Sequence, residues 1–166
     1  MTRLDRNFGV LLTGLAVLSA AILAAITLVI PLNVLLRNLG LPVIYGALDA
    51  IEYGLMAAAF LGAPWVLRLN AHVQVDLITH GLPPRARRRV VLAACLLGAA
   101  TCAVLGWAGL QALMQSYARG SMVRTAFTFP EWWTLTVLPL SMALCTLEFL
   151  RKIFRPEAGD TPLSGL

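Results

Sequence analysis

Charge is what this sequence has least of. Asp, Glu, Lys and Arg together make up 13% of its 166 residues, about half the share of roughly 25% found in soluble domains. A small soluble domain leaves much of its surface in water, and so few polar side chains cannot cover it. With 59% hydrophobic residues, the surplus apolar surface must face lipid. Histidine is nearly absent too. His72 and His80 have no Cys, Glu or further His at ligand spacing, which excludes a closed metal site and haem held between spanning helices. Cys95, Cys102 and Cys145 all fall inside apolar runs and form no Cys-x-x-Cys pair, so they read as inert packing residues. His72 and Asp76 stand at four-residue spacing, but no activated nucleophile accompanies them. With no nucleotide-binding loop either, the chain reads as no enzyme, with no catalytic residue, metal or cofactor.

The net charge of +5 and pI of about 9.7 do not signal nucleic acid. The basic residues edge long apolar runs instead of forming a soluble patch interleaved with aromatics, so the partner they imply is the lipid bilayer.

Four apolar runs are present, at about 8–30, 43–67, 90–114 and 132–150. The first is roughly 35 Å long as a helix, enough to cross a hydrocarbon core of about 30 Å. It is too long for the apolar region of a cleaved signal, about 7–15 residues. Lipid offers no partner to a free backbone amide, so each run must be helical. The fold expected is an all-α integral membrane protein with four transmembrane helices, residues 1–166 forming one membrane domain. Tyr117 beyond run three and Trp132 with Trp133 at the start of run four are placed as interfacial aromatics.

Orientation follows from Lys and Arg in the connecting segments. Arg3 and Arg6, the group Arg68, Arg85, Arg87, Arg88 and Arg89, and the group Arg151, Lys152 and Arg155 lie on one side. Arg37, Arg119 and Arg124 lie on the other. Both termini and the middle loop are therefore expected in the cytoplasm. Within that loop, about 69–80, Leu69, Val73 and Leu77 fall at helical steps and suggest a short interfacial helix. The tail 156–166, with Pro156, Gly159, Pro162 and Gly165, reads as loose.

Acids inside a span prompt a functional hypothesis. Asp49 and Glu52 share a face of run two. One reading makes Glu52 the coupling carboxylate of a self-sufficient small exporter. The preferred reading is structural: Asp49 is wetted at the outer interface, and Glu52 pairs with Arg37 of the preceding loop. Phe129-Pro130-Glu131-Trp132-Trp133 reads as a helix start, and Pro139 should kink run four. Gly98, Gly106 and Gly109, with Ala94 and Cys102, offer a face of small residues for close helix packing.

Taken in order, these features resemble a known family. Arg37 follows run one and Glu52 sits early in run two. His72-Val73-Gln74-Val75-Asp76 follows run two, and Leu82-Pro83 precedes a basic stretch. Thr125 to Trp132 (TAFTFPEW) precedes run four, and Pro139 lies inside it. The chain resembles, from about residue 8 to 155, the small permease subunit (DctQ type) of the tripartite ATP-independent periplasmic (TRAP) transporters of bacteria and archaea. Two local departures are Gln74, where the family often has a basic residue, and the lack of a Trp shortly before Glu52. The resemblance implies a multi-pass protein of the cytoplasmic (inner) membrane that scaffolds a large permease subunit. That partner would perform sodium-coupled uptake of a solute, commonly an organic acid, delivered by a periplasmic binding protein. Sodium and solute would bind the large subunit, leaving this chain without a cofactor. Arg37, Glu52, His72 and Asp76 would then be residues of fold and subunit contact, joined by Pro130, Trp132 and Pro139.

Overall fold

A computed structural model of the chain describes residues 3–69 and 83–154. Within them the order is α1 (Arg3–Asn38), α2 (Ala47–Arg68), α3 (Pro84–Arg119), β1 (Met122–Arg124), β2 (Thr128–Pro130), α4 (Trp132–Leu135) and α5 (Val137–Phe154). Four stretches are long and apolar enough to cross a membrane: Asp5–Asn38, Ala47–Arg68, Arg88–Arg119 and Trp132–Phe154. The expected four spans are all present, and the protein is a multi-pass membrane protein. From residue 70 onward, the proposed interfacial helix lies outside the described residues, as do His72, Asp76 and the tail.

The helices outrun their apolar cores. α1 and α3 have 36 residues each, about 54 Å of helix. Both stop in the same way. Leu41 donates its amide to Leu36 and Gly40 to Arg37 at the end of α1, and Ser121 to Ser116 and Gly120 to Tyr117 at the end of α3. This pairing satisfies the last carbonyls while the chain turns away.

Contacts run from α1 to α2, from α2 to α5 and from α5 to α3. The α1–α2 and α3–α5 pairs are thus joined through α2 and α5, and α1 and α3 stand outermost. Hydrocarbon gives helices no hydrophobic reason to associate, so close packing and hydrogen bonds must hold them. The small residues do this. A Cβ on Gly54 would lie 3.1 Å from Ile26, and one on Gly106 would lie 3.2 Å from Met142 Cβ. One on Gly109 would meet Leu138 at 2.8 Å, and the ring of Phe149 fills the space beside Gly98. The glycine face of α3 therefore packs on α5. Ser19 donates to the Ala58 carbonyl at 2.7 Å across α1 and α2, and Ser141 donates to the Phe60 carbonyl across α5 and α2.

Pro139 interrupts the fourth span as its chemistry requires. Lacking an amide, it cannot bond to Leu135 four residues back, and the regular hydrogen-bond pattern is interrupted at Thr136, between α4 and α5, where the backbone stays right-handed helical. Pro130 differs from expectation. It ends β2, paired with Met122, and the helix begins at Trp132 behind Glu131. The proline closes a hairpin because its missing amide costs nothing at a strand terminus.

Candidate functional site: the two ends of the bundle

Polar chemistry is concentrated at the ends of the bundle. At one end, the chain between α3 and α4 folds into the β1–β2 hairpin, with Val123 opposite Phe129. Its tip lies on the start of α2, where the Ala126 amide donates to Asp49 Oδ2 at 2.7 Å. Asp49, in the first turn of α2, thus holds the hairpin. Phe127 fills the space beside Gly46, whose φ of +73° leaves the residue before α2 in the left-handed region. Only a residue without Cβ takes that turn cheaply and admits the ring. Tyr45 meets Phe127 edge-on at 6.3 Å, and Tyr53 meets Phe129 at 5.4 Å. The base of the hairpin is closed by Glu131, whose amide donates to Ser121 and whose carboxylate accepts from Ser116 Oγ at 2.8 Å. Trp132 lies edge-on to Tyr117 and to Trp133, each at 5.9 Å.

Arg37 and Glu52 are not brought together. Both are exposed, and no ion pair joins them among the described residues. Register gives the reason. Gly54 lies beside Ile22 and Ile26, Gly62 beside Ser19, and Gly9 beside Arg68. That antiparallel alignment sets Glu52 level with about Ile26, while α1 carries Arg37 a further three turns on, about 16 Å away. The expected pair is corrected: Glu52 sits on the outer surface of α2 and Arg37 at the far end of α1.

The opposite end holds a charged knot. Glu148 of α5 is 0% exposed. Arg151 Nη2 lies 3.2 Å from Glu148 Oε1, and Arg151 Nη1 lies 3.9 Å from Asp5 of α1. Lys152 Nζ donates to the Leu67 carbonyl at the end of α2. The Arg68 guanidinium lies against Gly9, where a Cβ would come within 2.9 Å of its Nη2. The start of α1 and the ends of α2 and α5 therefore meet in one place. Burying a carboxylate costs several kcal/mol or more unless a charge is close, so Arg151 is the partner that makes Glu148 tolerable. Sequence reasoning passed over this knot. Its only signal was an acid three residues before Arg151 at the end of an apolar run, a spacing that puts both on one helix face.

Among the described residues no group of three or more His, Cys, Asp or Glu could hold a metal ion. The chain matches the family of tripartite ATP-independent periplasmic transporters, DctQ component, over residues 26–159. That stretch is most of the sequence, and the chain belongs to this family. No curated protein matches it.

Proposed function

Starting from that membership, we propose that the chain is the small, non-catalytic membrane subunit of a TRAP transporter, a scaffold for a large permease subunit. The permease performs sodium-coupled uptake of a solute, an organic acid by chemical class, delivered by a periplasmic binding protein. Both termini face the cytoplasm, in keeping with the basic residues that edge the charged knot. The membrane is the inner membrane of a bacterium or archaeon.

One observation carries the reading: Glu52 is exposed on the outer surface of a membrane span. A carboxylate turned to lipid is costly, and acids within spans face a protein or an aqueous cavity. A second protein is the environment that accommodates it. The same fact weighs against a self-sufficient exporter, which would need its coupling carboxylate inside its own pathway. Large apolar side chains exposed along the spans, such as Leu28, Val104 and Trp107, offer further area to lipid and to a partner.

The test is co-purification. Tagged chain expressed with its neighbouring membrane proteins and extracted in mild detergent should bring down a much larger membrane protein. Solute uptake in vesicles should require both. If the chain runs alone and supports uptake by itself, the scaffold reading fails.

A further inference from the structure

The seam between α3 and α5 puts two thiols face to face. Gly98 lies against the ring of Phe149 and Gly106 against Met142, so residue numbers fall along α3 as they rise along α5. Cys102 is four residues from each of these glycines, on the same face of α3. The antiparallel register therefore sets it opposite Cys145. The two backbones run close together here, because a Cβ on Gly106 would stand 4.0 Å from the backbone nitrogen of Ala143. The Cys102 and Cys145 thiols are hydrogen-bond partners across the seam, and neither is in a disulfide. A disulfide requires Cα atoms no more than about 7 Å apart, and close packing at small residues brings helices to that range. Cys95 stands two turns away along α3, about 10 Å, and the same register sets Lys152 opposite it.

Both facing cysteines lie well inside their spans, Arg88–Arg119 and Trp132–Phe154. Both also line an open apolar groove of about 750 Å³ in the side of the bundle. Cys145 is 5% exposed, whereas Cys102 is half-buried. A small apolar oxidant dissolved in the bilayer therefore reaches Cys102 first and finds Cys145 behind it. Cytosolic thiols stay reduced because glutathione reaches them, but a charged tripeptide does not enter hydrocarbon.

We propose that Cys102 and Cys145 are a dithiol that an organic hydroperoxide converts to a disulfide, tying α3 covalently to α5. The Cys102 sulfur attacks the outer peroxide oxygen, the O–O bond breaks, and the thiol proton leaves with the alcohol. Cys102 is then a sulfenic acid. The Cys145 sulfur attacks the Cys102 sulfur, the S–O bond breaks, and the Cys145 proton leaves with the hydroxyl as water. Two thiols are oxidised, one hydroperoxide is reduced, and one alcohol and one water are released. The site does not rest on the subunit assignment, because both thiols belong to this chain.

The full chain in proteoliposomes would be treated with cumene hydroperoxide, quenched with N-ethylmaleimide and mapped by mass spectrometry without reduction. Alkylatable thiols should fall from three to one, with Cys95 the survivor and Cys102 linked to Cys145 within single chains. Cys145→Ser should stop at the sulfenic acid of Cys102, which dimedone captures. Cys102→Ser should leave Cys145 reduced at the same dose. The wild-type map decides the matter even where a serine disturbs folding. Three thiols still free in the wild type, equal loss of all three, or disulfides between chains overturns the proposal. So does a linkage that includes Cys95.

Discussion

Ser141 on α5 supplies the hydrogen bond that Pro64 withholds from Phe60 on α2. Pro64 has no amide to return to the carbonyl four residues back, that carbonyl is Phe60's, and Ser141 donates to it. A backbone acceptor in a span cannot turn to water, so the serine both satisfies it and ties α5 to α2.

Ser141→Ala should therefore destabilise the protein by about 0.6–1.7 kcal/mol, the range for hydrogen bonds between membrane helices. In a Pro64→Ala background the amide returns and the same change should cost less than about 0.5 kcal/mol. Unfolding in SDS followed by circular dichroism measures both. Equal costs in the two backgrounds would show that Ser141 does not serve the Phe60 carbonyl.

Asp49→Ala should free the hairpin, since a hydrogen bond to a charged acceptor contributes about 1.5–3 kcal/mol. The expected readout is faster tryptic cleavage after Arg124 in proteoliposomes, with Asp49→Asn much milder because an oxygen acceptor remains. Gly46→Ala should have a similar effect, from the left-handed backbone, about 1–2 kcal/mol, and from the Phe127 ring. Unchanged cleavage in Asp49→Ala would sink the clasp.

Arg37 and Glu52 should behave independently. A double-mutant cycle on stability should close within about 0.3–0.5 kcal/mol, as for sites without shared partners. A larger coupling energy would mean that the two side chains meet after all.

In the charged knot, Arg151→Gln should be worse than Glu148→Gln. The first leaves a buried carboxylate uncompensated, a loss of about 3–5 kcal/mol, whereas the second removes the charge that needs compensation. Melting temperatures of the two variants in the same detergent decide it, and the reverse order would count against the pairing.

The spans were legible because hydrophobic content and length alone determine them, and the glycine face of α3 because small residues at helical spacing have few other uses. The hydrogen bond that Pro139 removes shows as an interruption of the helix pattern at Thr136, whose backbone stays helical. The hairpin was not legible: strands of three residues, Met122–Arg124 and Thr128–Pro130, are too short to show a period, and Pro130 is equally at home at a helix start. The Arg37–Glu52 pair failed for a different reason. A sequence states how far apart two residues lie along the chain, but the vertical offset between α1 and α2 is decided where Gly54 and Gly62 meet Ile26 and Ser19. Glu148 resembles an acid emerging into water at the end of a run. Only the convergence of α1, α2 and α5 shows it enclosed.

The position of α5 between α2 and α3 bears on assembly during synthesis. A ribosome delivers α1, α2 and α3 to the bilayer first, and most of the helix packing that joins the α1–α2 pair to α3 is carried by a helix not yet made. Until α5 arrives, the clasp of the β1–β2 segment on α2 is what ties the first two helices to α3, and the insertion of α5 adds the helix-to-helix packing that joins α2 to α3.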